Sequence, residues 1–366
     1  MVTTTDANGN YSFSGLSDVT NTITPSLAGY TFRPTNRPVY IFGQDAAGFD
    51  FSGFTQSSVA ATLHTVYLES DGTVWTWGNN SNGQLGNGTN GPGTDSSVPV
   101  QVPGLSGMTA IAAGTNFTVA LKNDGTVWTC GYNGYGQLGN GTNGPGTDSN
   151  IPVQVSETSG LSNVIAIAAG YDHTIALMNS SGGIAWAWGH NLNGQLGNGT
   201  QTDSNIPVQA GGLNNILAIA AGNAFTVALQ NVGLDSQVWA WGSNNNGQLG
   251  NGNINDSWSP VNVSGLSSTG AISVAAGYDH AVAMKTDGTV WAWGGNSNGQ
   301  LGNGTTDGSV TPVQVSEMSG VAAVAAGEKD TVTLRIDGTV WAWGYNFYGQ
   351  LGNNSTADSP IPVQAL

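Results

Sequence analysis

The 366-residue chain is poor in basic residues, with six Lys and Arg against 22 Asp and Glu and a formal net charge of −16. A phosphate backbone or an anionic lipid headgroup would meet almost no counter-charge, which argues against nucleic acid and membrane insertion. Cysteine occurs once, at Cys130, so no internal disulfide can form. Charged residues make up only 8% of the chain, and no apolar run approaches the roughly 18 residues of a membrane-spanning helix. The opening MVTTTDANGN has neither a basic nor an apolar leader segment. Two settings fit it: a cytoplasmic protein, or a mature or excised piece of a longer secreted chain. Scarce Lys and Arg beside abundant Thr, Asn and Gly favour the second, hence an extracellular or cell-surface location.

What is present is repetition. Residues 71–89 read DGTVWTWGNNSNGQLGNGT, and the Gly-Gln-Leu-Gly core returns at Gly83, Gly136, Gly194, Gly247, Gly299 and Gly349, every 50–58 residues. A period near fifty points to a propeller, a solenoid or an array. Trp75 and Trp77 lie two apart, so a strand points both to one face. The pair recurs as Trp186/Trp188, Trp239/Trp241, Trp291/Trp293 and Trp341/Trp343, and the second copy reads Trp128/Cys130. Two indoles on one face of a strand need a facing sheet. Cys130, in a tryptophan slot, reads as a small buried hydrophobe.

Each copy divides into four strands. The first ends in small residues, Ala112-Ala113-Gly114 in copy two and a degenerate Ala60-Ala61-Thr62 in copy one. Such residues suit an innermost strand crowded around an axis. A second, alternating strand follows, as in HTIALM from His173; then an Asp-Gly turn such as Asp124-Gly125, and the tryptophan strand. The fourth strand, Pro-Val-Gln-Val in most copies, carries a proline that fits an edge. Strand alternation places the first-to-second and third-to-fourth connections on one face, here the loop face. The Asp-Gly turns occupy the opposite, turn face.

The pattern A-A-G-x-x-H-[ST]-x-A-L followed by D-G-x-V-W-x-W-G-x-N-x-x-G-Q-L-G resembles the regulator-of-chromosome-condensation repeat propeller, in its bacterial secreted type. The resemblance covers about 57–366 and implies an all-β propeller. Six four-stranded blades are expected, although family propellers usually have seven. The family's eukaryotic founder is a guanine-nucleotide exchange factor, but no basic tail or wedge loop here carries that role. A secreted bacterial member inhibits a β-lactamase through loops at one face, which is a precedent for protein binding by loops.

Residues 1–55 fall outside the repeat, and the propeller is expected over 56–366. The segments TDANGNYSFSGL, TPSLAGYTFRP and GFDFSGF resemble part of a carboxypeptidase-regulatory-like or Cna-B-like β-sandwich, which implies a surface spacer or stalk module. Its opening strands are missing, so an unpaired edge is expected, open to strand addition.

On the loop face, aromatic residues make candidate ligand anchors: Tyr132 and Tyr135 in copy two, Trp258 in copy four, and Tyr345, Phe347 and Tyr348 in copy six. His190 of copy three belongs to the same outer loops. If six copies close a ring, copies six, one and two are neighbours, and their aromatics with the extended TNGPGTDS loops (89–96 and 142–149) form one crescent. Inter-blade packing is the alternative use of these rings. Around the axis, Tyr171-Asp172-His173 and Tyr278-Asp279-His280 are channel-mouth candidates, since imidazole beside carboxylate can serve proton transfer or zinc. The same histidine position recurs at His64, which favours a repeated hydrogen bond across blades. Asp95 and Asp148, among carbonyl-rich turns, could serve calcium, but they lack the carboxylate density of a dedicated loop. No other cofactor is implied.

Three functions follow. The leading one is a non-enzymatic binding propeller that recognises a protein or glycan through the loop face. A self-associating surface or filament protein, using the open sandwich edge, is the second. A lyase or hydrolase at the central channel is the third.

Overall fold

The computed structural model describes residues 20–23, 31–33, 37–40, 52–54 and 58–366, the last span without 180–181, 234 and 267–269. The chain divides into two units, 1–57 and 58–366. In the first, Thr20–Ile23 pairs antiparallel with Arg37–Tyr40, and Thr31–Arg33 with Ser52–Phe54. The expected TDANGN hairpin and the sandwich as a whole lie outside the described residues.

The second unit is all-β apart from one 3-10 turn, Glu157–Ser159. Six four-stranded antiparallel sheets follow one another in sequence order, so the expected six blades are present. They span 58–101, 108–154, 164–209, 216–262, 271–314 and 321–364 (blades 1 to 6). Every sheet is contiguous in sequence, so neighbouring blades are held by side chains and loops rather than by a shared ladder. Alanines at the end of each first strand, among them Ala113, Ala169, Ala221, Ala276 and Ala326, line an axial cavity of about 570 Å³.

The tryptophan strand explains how blades stack. Val238 and Ala240 point to the following blade, while Trp239 and Trp241 point to the preceding one. The second indole of the pair is fully buried at Trp188, Trp241, Trp293 and Trp343. Each donates Nε1–H at 2.9 Å to the backbone carbonyl of the preceding blade's Gly-Gln-Leu-Gly glutamine: Gln137, Gln195, Gln248 and Gln300. Cys130 fills the same slot in blade 2. It is buried, with Sγ 3.7 Å from the Gln84 carbonyl, and burial pushes its thiol up to about 12. The first indole of each pair lies nearer the turn face. In blades with Asp-Gly-Thr turns it donates to the threonine, as in Trp75 to Thr73 at 3.3 Å, and that hydroxyl donates to Asp71 at 2.7 Å. Blade 3 lacks this turn sequence, and its Trp186 Nε1 is buried without a partner.

Five hydrophobic clusters join the six blades, one for each consecutive pair. Among the described residues, no cluster and no hydrogen bond joins blade 6 to blade 1. The consequences are visible on both sides of that seam. Leu334 and Val340 of blade 6 are 41% and 39% exposed, whereas their blade 4 counterparts Leu229 and Val238 are buried. Trp77 of blade 1 is only partly buried. At the channel mouth, backbone N–H groups of Thr115, Tyr171, Asn223 and Tyr278 each donate to the matching residue of the next blade, and the series stops at Glu328. The sequence expectation was a ring closed by six blades or a gap filled by another segment; among the described residues, the side-by-side packing of blades 6 and 1 is not formed.

The loop glycines register the same seam. Gly136 has φ +84°, and a Cβ there would lie 2.5 Å from the Asn205 Cα of blade 3. At Gly349 φ is +79°, but a Cβ would meet only its own Ser355 carbonyl at 3.9 Å. Gly349→Ala should therefore cost about 1 kcal/mol, the left-handed backbone penalty alone. Gly136→Ala should cost at least twice as much, because a packed backbone must also move. Paired urea melts check the difference.

Candidate functional site

The third-to-fourth connections are built around one asparagine each. Asn80, Asn133, Asn191, Asn244, Asn296 and Asn346, just after the Trp-Gly or Cys-Gly end of the third strand, are almost fully buried. Asn133 is representative. Its Oδ1 accepts from Leu138 N at 3.1 Å, and its Nδ2 donates to the Thr142 carbonyl at 2.9 Å. Its own N–H donates to Asp148 Oδ1 at 2.8 Å. Asp95 does the same for Asn80 at 2.7 Å. The two carboxylates considered for calcium thus each accept a backbone bond that closes their own loop, and Asp148 Oδ2 also accepts from Asn82.

One further loop residue, four positions after the glycine of the Trp-Gly or Cys-Gly pair, reaches across to the next blade. Asn82 meets Asp148 at 3.2 Å, Asn193 meets Asp256 at 2.9 Å, Asn246 meets Asp279 at 3.1 Å and Asn298 meets Asp358 at 2.8 Å. In blade 2 the residue is Tyr135, whose ring lies 4.3 Å from the His190 ring of blade 3. Tyr132 packs on Tyr135 edge-on. In blade 6 the residue is Tyr348, and among the described residues it meets no other blade. Its side chain is 81% exposed, and Phe347 beside it is 63% exposed. Tyr345, Phe347 and Tyr348 contact one another at centroid distances of 5.0–6.4 Å. Some desolvation, then Tyr348, Asp358 and Glu328, push the Tyr345 phenol up.

The expected crescent is therefore not continuous. Ring contacts form one cluster on blades 2 and 3 and another on blade 6, and the unpacked seam separates blade 6 from blade 1. Trp258 belongs to neither. It is the second residue of the strand Ser257–Asn262, and its carbonyl accepts from Gly199 N of blade 3 at 2.8 Å. Its ring remains 47% exposed. Asn150 and Asn205 occupy the same strand position in their blades and make the same carbonyl contact, which identifies a repeated structural slot.

The Tyr-Asp-His triplets send their side chains in three directions. Tyr171 and Tyr278 stand at the cavity mouth, 45% and 38% exposed. Asp172 accepts from Gln137 Nε2 of blade 2 at 3.2 Å, and burial raises its pKa. Burial likewise raises Asp279, which accepts from Asn246. His173 and His280 are fully buried between blades, with Nε2 3.1 and 3.0 Å from Thr226 and Thr331. His64 meets Thr118 at 2.7 Å. Each threonine hydroxyl gives its proton to a glutamine carbonyl: Thr118 to Gln84, Thr226 to Gln195, Thr331 to Gln300. The histidine must then be the Nε2–H donor, leaving Nδ1 bare, and Nδ1 of His173 and His280 has no partner. Desolvation holds the three near neutral, at about 4, 3 and 4 for His64, His173 and His280. No imidazole is aimed into the cavity beside a carboxylate. Among the described residues, no group of three or more His, Cys, Asp and Glu side chains is placed to hold a metal.

Sequence reasoning named Tyr345, Phe347 and Tyr348 but missed what sets them apart. The signal was available only in part: Tyr-Asn-x-Tyr appears in both copies two and six, and nothing in the sequence distinguishes a covered ring from an open one.

Comparison with known proteins matches residues 26–366 to the RCC1-like domain. The Arabidopsis thaliana protein "Ultraviolet-B receptor UVR8" is 36% identical over 245 residues, which is 66% of this chain and 53% of that one. The Mus musculus "E3 ubiquitin-protein ligase HERC2" is 31% identical over 255 residues, 69% of this chain but 5% of its own length. The chain thus spans about half, or much less, of these relatives. Yeast RCC1 (Prp20), solved bound to Kap60, superposes with a TM-score of 0.73 at 22% identity, covering 85% of this chain and 75% of that one. At that identity the likeness is one of fold.

Proposed function

The chain belongs to the RCC1-like domain family, and from that premise we propose that it is a non-enzymatic protein-binding propeller that holds its partner on the loop face. The observation that carries this reading is the blade 6 cluster of Tyr345, Phe347 and Tyr348. Three contiguous rings, two of them more than half exposed, sit at the end of a rigid loop whose asparagine hub is buried. Large, stiff side chains on a fixed backbone lose little entropy on binding and supply most of the energy at protein interfaces. Yeast RCC1, with a related fold, was solved with a protein partner. Tyr132 and Tyr135, partly covered by His190, are secondary contacts in this reading. The low Lys and Arg content supports an extracellular setting.

The Tyr345→Ala/Tyr348→Ala variant should lose partner capture while its melting temperature stays within about 2 °C of the parent, since Tyr348 is exposed and Tyr345 only partly buried. Differential scanning fluorimetry beside surface plasmon resonance measures both. Parallel loss of stability and capture would reassign these rings to packing.

A further inference from the structure

Four of the six basic residues lie in the propeller, and three of them are engaged at the turn face. Lys122 pairs with Asp124 at 3.3 Å, Lys285 lies 4.5 Å above the Trp291 ring, and Arg335 lies 5.8 Å from the Trp341 ring. The chain thus places its own cations over indoles. Among the described residues of the propeller, the one Lys or Arg side chain on the loop face is Lys329, which lies toward Asp279 of blade 5. Around the blade 6 rings the charge is negative: Glu328, Asp330 and Asp358.

The repeat itself shows what the open ring lacks. In the sequence Tyr-Asn-x-Tyr of blade 2, the second tyrosine carries the imidazole of His190 at 4.3 Å. In the same sequence of blade 6, the second tyrosine, Tyr348, is 81% exposed and, among the described residues, carries no ring from another blade. Tyr348 lies beside an exposed Phe347 and edge-on to Tyr345, whose phenol feels the exposed Glu328 and also Asp358, the latter held by Asn346 N and Asn298 Nδ2. An apolar or anionic occupant would leave the Glu328 charge uncompensated. A cation stacked on the ring would face both the π-cloud and the acids.

Resting on the loop-face reading above, we propose that Phe347 and Tyr348 capture an arginine- or lysine-bearing segment of a partner protein, its cation lying over Tyr348 with the exposed Glu328 as the principal counter-charge. Binding is then salt-sensitive, since the charges are exposed and screened within about 8–10 Å.

The test uses the full 366-residue chain and synthetic 12-residue peptides in three sets: rich in Arg and Lys, neutral, and rich in Asp and Glu. Fluorescence anisotropy should show binding of the basic set alone, weakening as NaCl is raised from 50 to 300 mM. Tyr348→Ala should weaken it about tenfold, as for loss of one good anchor. Glu328→Gln should weaken it about threefold and flatten the salt dependence. Ile336→Ala, 78% exposed on the turn face of the same blade, should leave it unchanged. Neutral or acidic peptides that bind as well, in a Tyr348-dependent way, would overturn the charge assignment and leave the loop-face reading standing. Basic peptides that bind the Tyr345→Ala/Tyr348→Ala variant as tightly as the parent would overturn the placement on blade 6 and count against the loop-face reading as well. Absence of binding by all three sets also overturns the proposal.

Discussion

Trp241→Ala should destabilise the propeller by about 3–5 kcal/mol, the usual cost of truncating a buried tryptophan. Trp241 is fully buried between blades 3 and 4, packed in the cluster with Leu177, Leu196 and Leu213. Its Nε1–H bond to the Gln195 carbonyl is also lost; that carbonyl keeps Thr226 as a donor, so no acceptor is orphaned. Trp77→Ala, the same substitution at the same repeat position, should cost about 1–2 kcal/mol, because this indole faces the open seam and is only partly buried. Blades joined to their neighbours alone behave as a chain of interfaces, so an internal break should also broaden the transition. Urea denaturation followed by tryptophan fluorescence measures both variants. Equal costs would mean that a surface as well packed as the other five seams covers Trp77.

Acid should unfold the propeller through its buried histidines. His64, His173 and His280 have folded pKa values depressed by desolvation to about 4, 3 and 4, below the ordinary 6.5. Between those values the unfolded chain binds protons that the folded chain refuses. Stability therefore falls as pH drops from about 6.5 toward 4, by on the order of 3 kcal/mol per histidine at pH 4. Protonation also puts a second N–H on a ring whose Nδ1 has no acceptor in His173 and His280. The turn aspartates add to the loss at lower pH. Asp71, Asp124, Asp287 and Asp337 are held below their ordinary value by bonds from Thr73, Thr126, Thr289 and Thr339, so their contribution disappears as pH falls through the folded value. Asp172, Asp279 and Asp330 act in the opposite sense. Burial raises them, so protonation favours the folded state and offsets part of the loss. Urea midpoints at pH 7, 5 and 4 should decline steeply for the parent and less steeply for His173→Asn. An unchanged pH slope in that variant would remove His173 from the explanation.

The site chemistry was legible to different depths. The histidine position recurs in three copies, and recurrence alone pointed to a repeated hydrogen bond, which His64, His173 and His280 each make to a threonine of the next blade. The asparagine hub was not singled out, although it is present in all six copies. Its role comes from loop carbonyls that converge only when the chain folds back over 9–15 residues. Trp258 read as a loop aromatic because its neighbours are polar. It lies at the start of an outer strand, fixed by the Ser257–Gly242 ladder pair beside it and by the Gly199 N–H on its own carbonyl.

By itself the sequence determined the blade. Period-two tryptophans, small residues at the axis, an Asp-Gly turn and a proline on the outer strand each act within one copy or between adjacent copies, and local rules suffice to read them. Tertiary structure decided the seam between blades 6 and 1, and through it which residues are sites. Tyr135 and Tyr348 stand in matching motifs, yet one lies against His190 and the other in solvent. Burial depends on what a neighbouring blade places there, and no residue within a copy records what that will be.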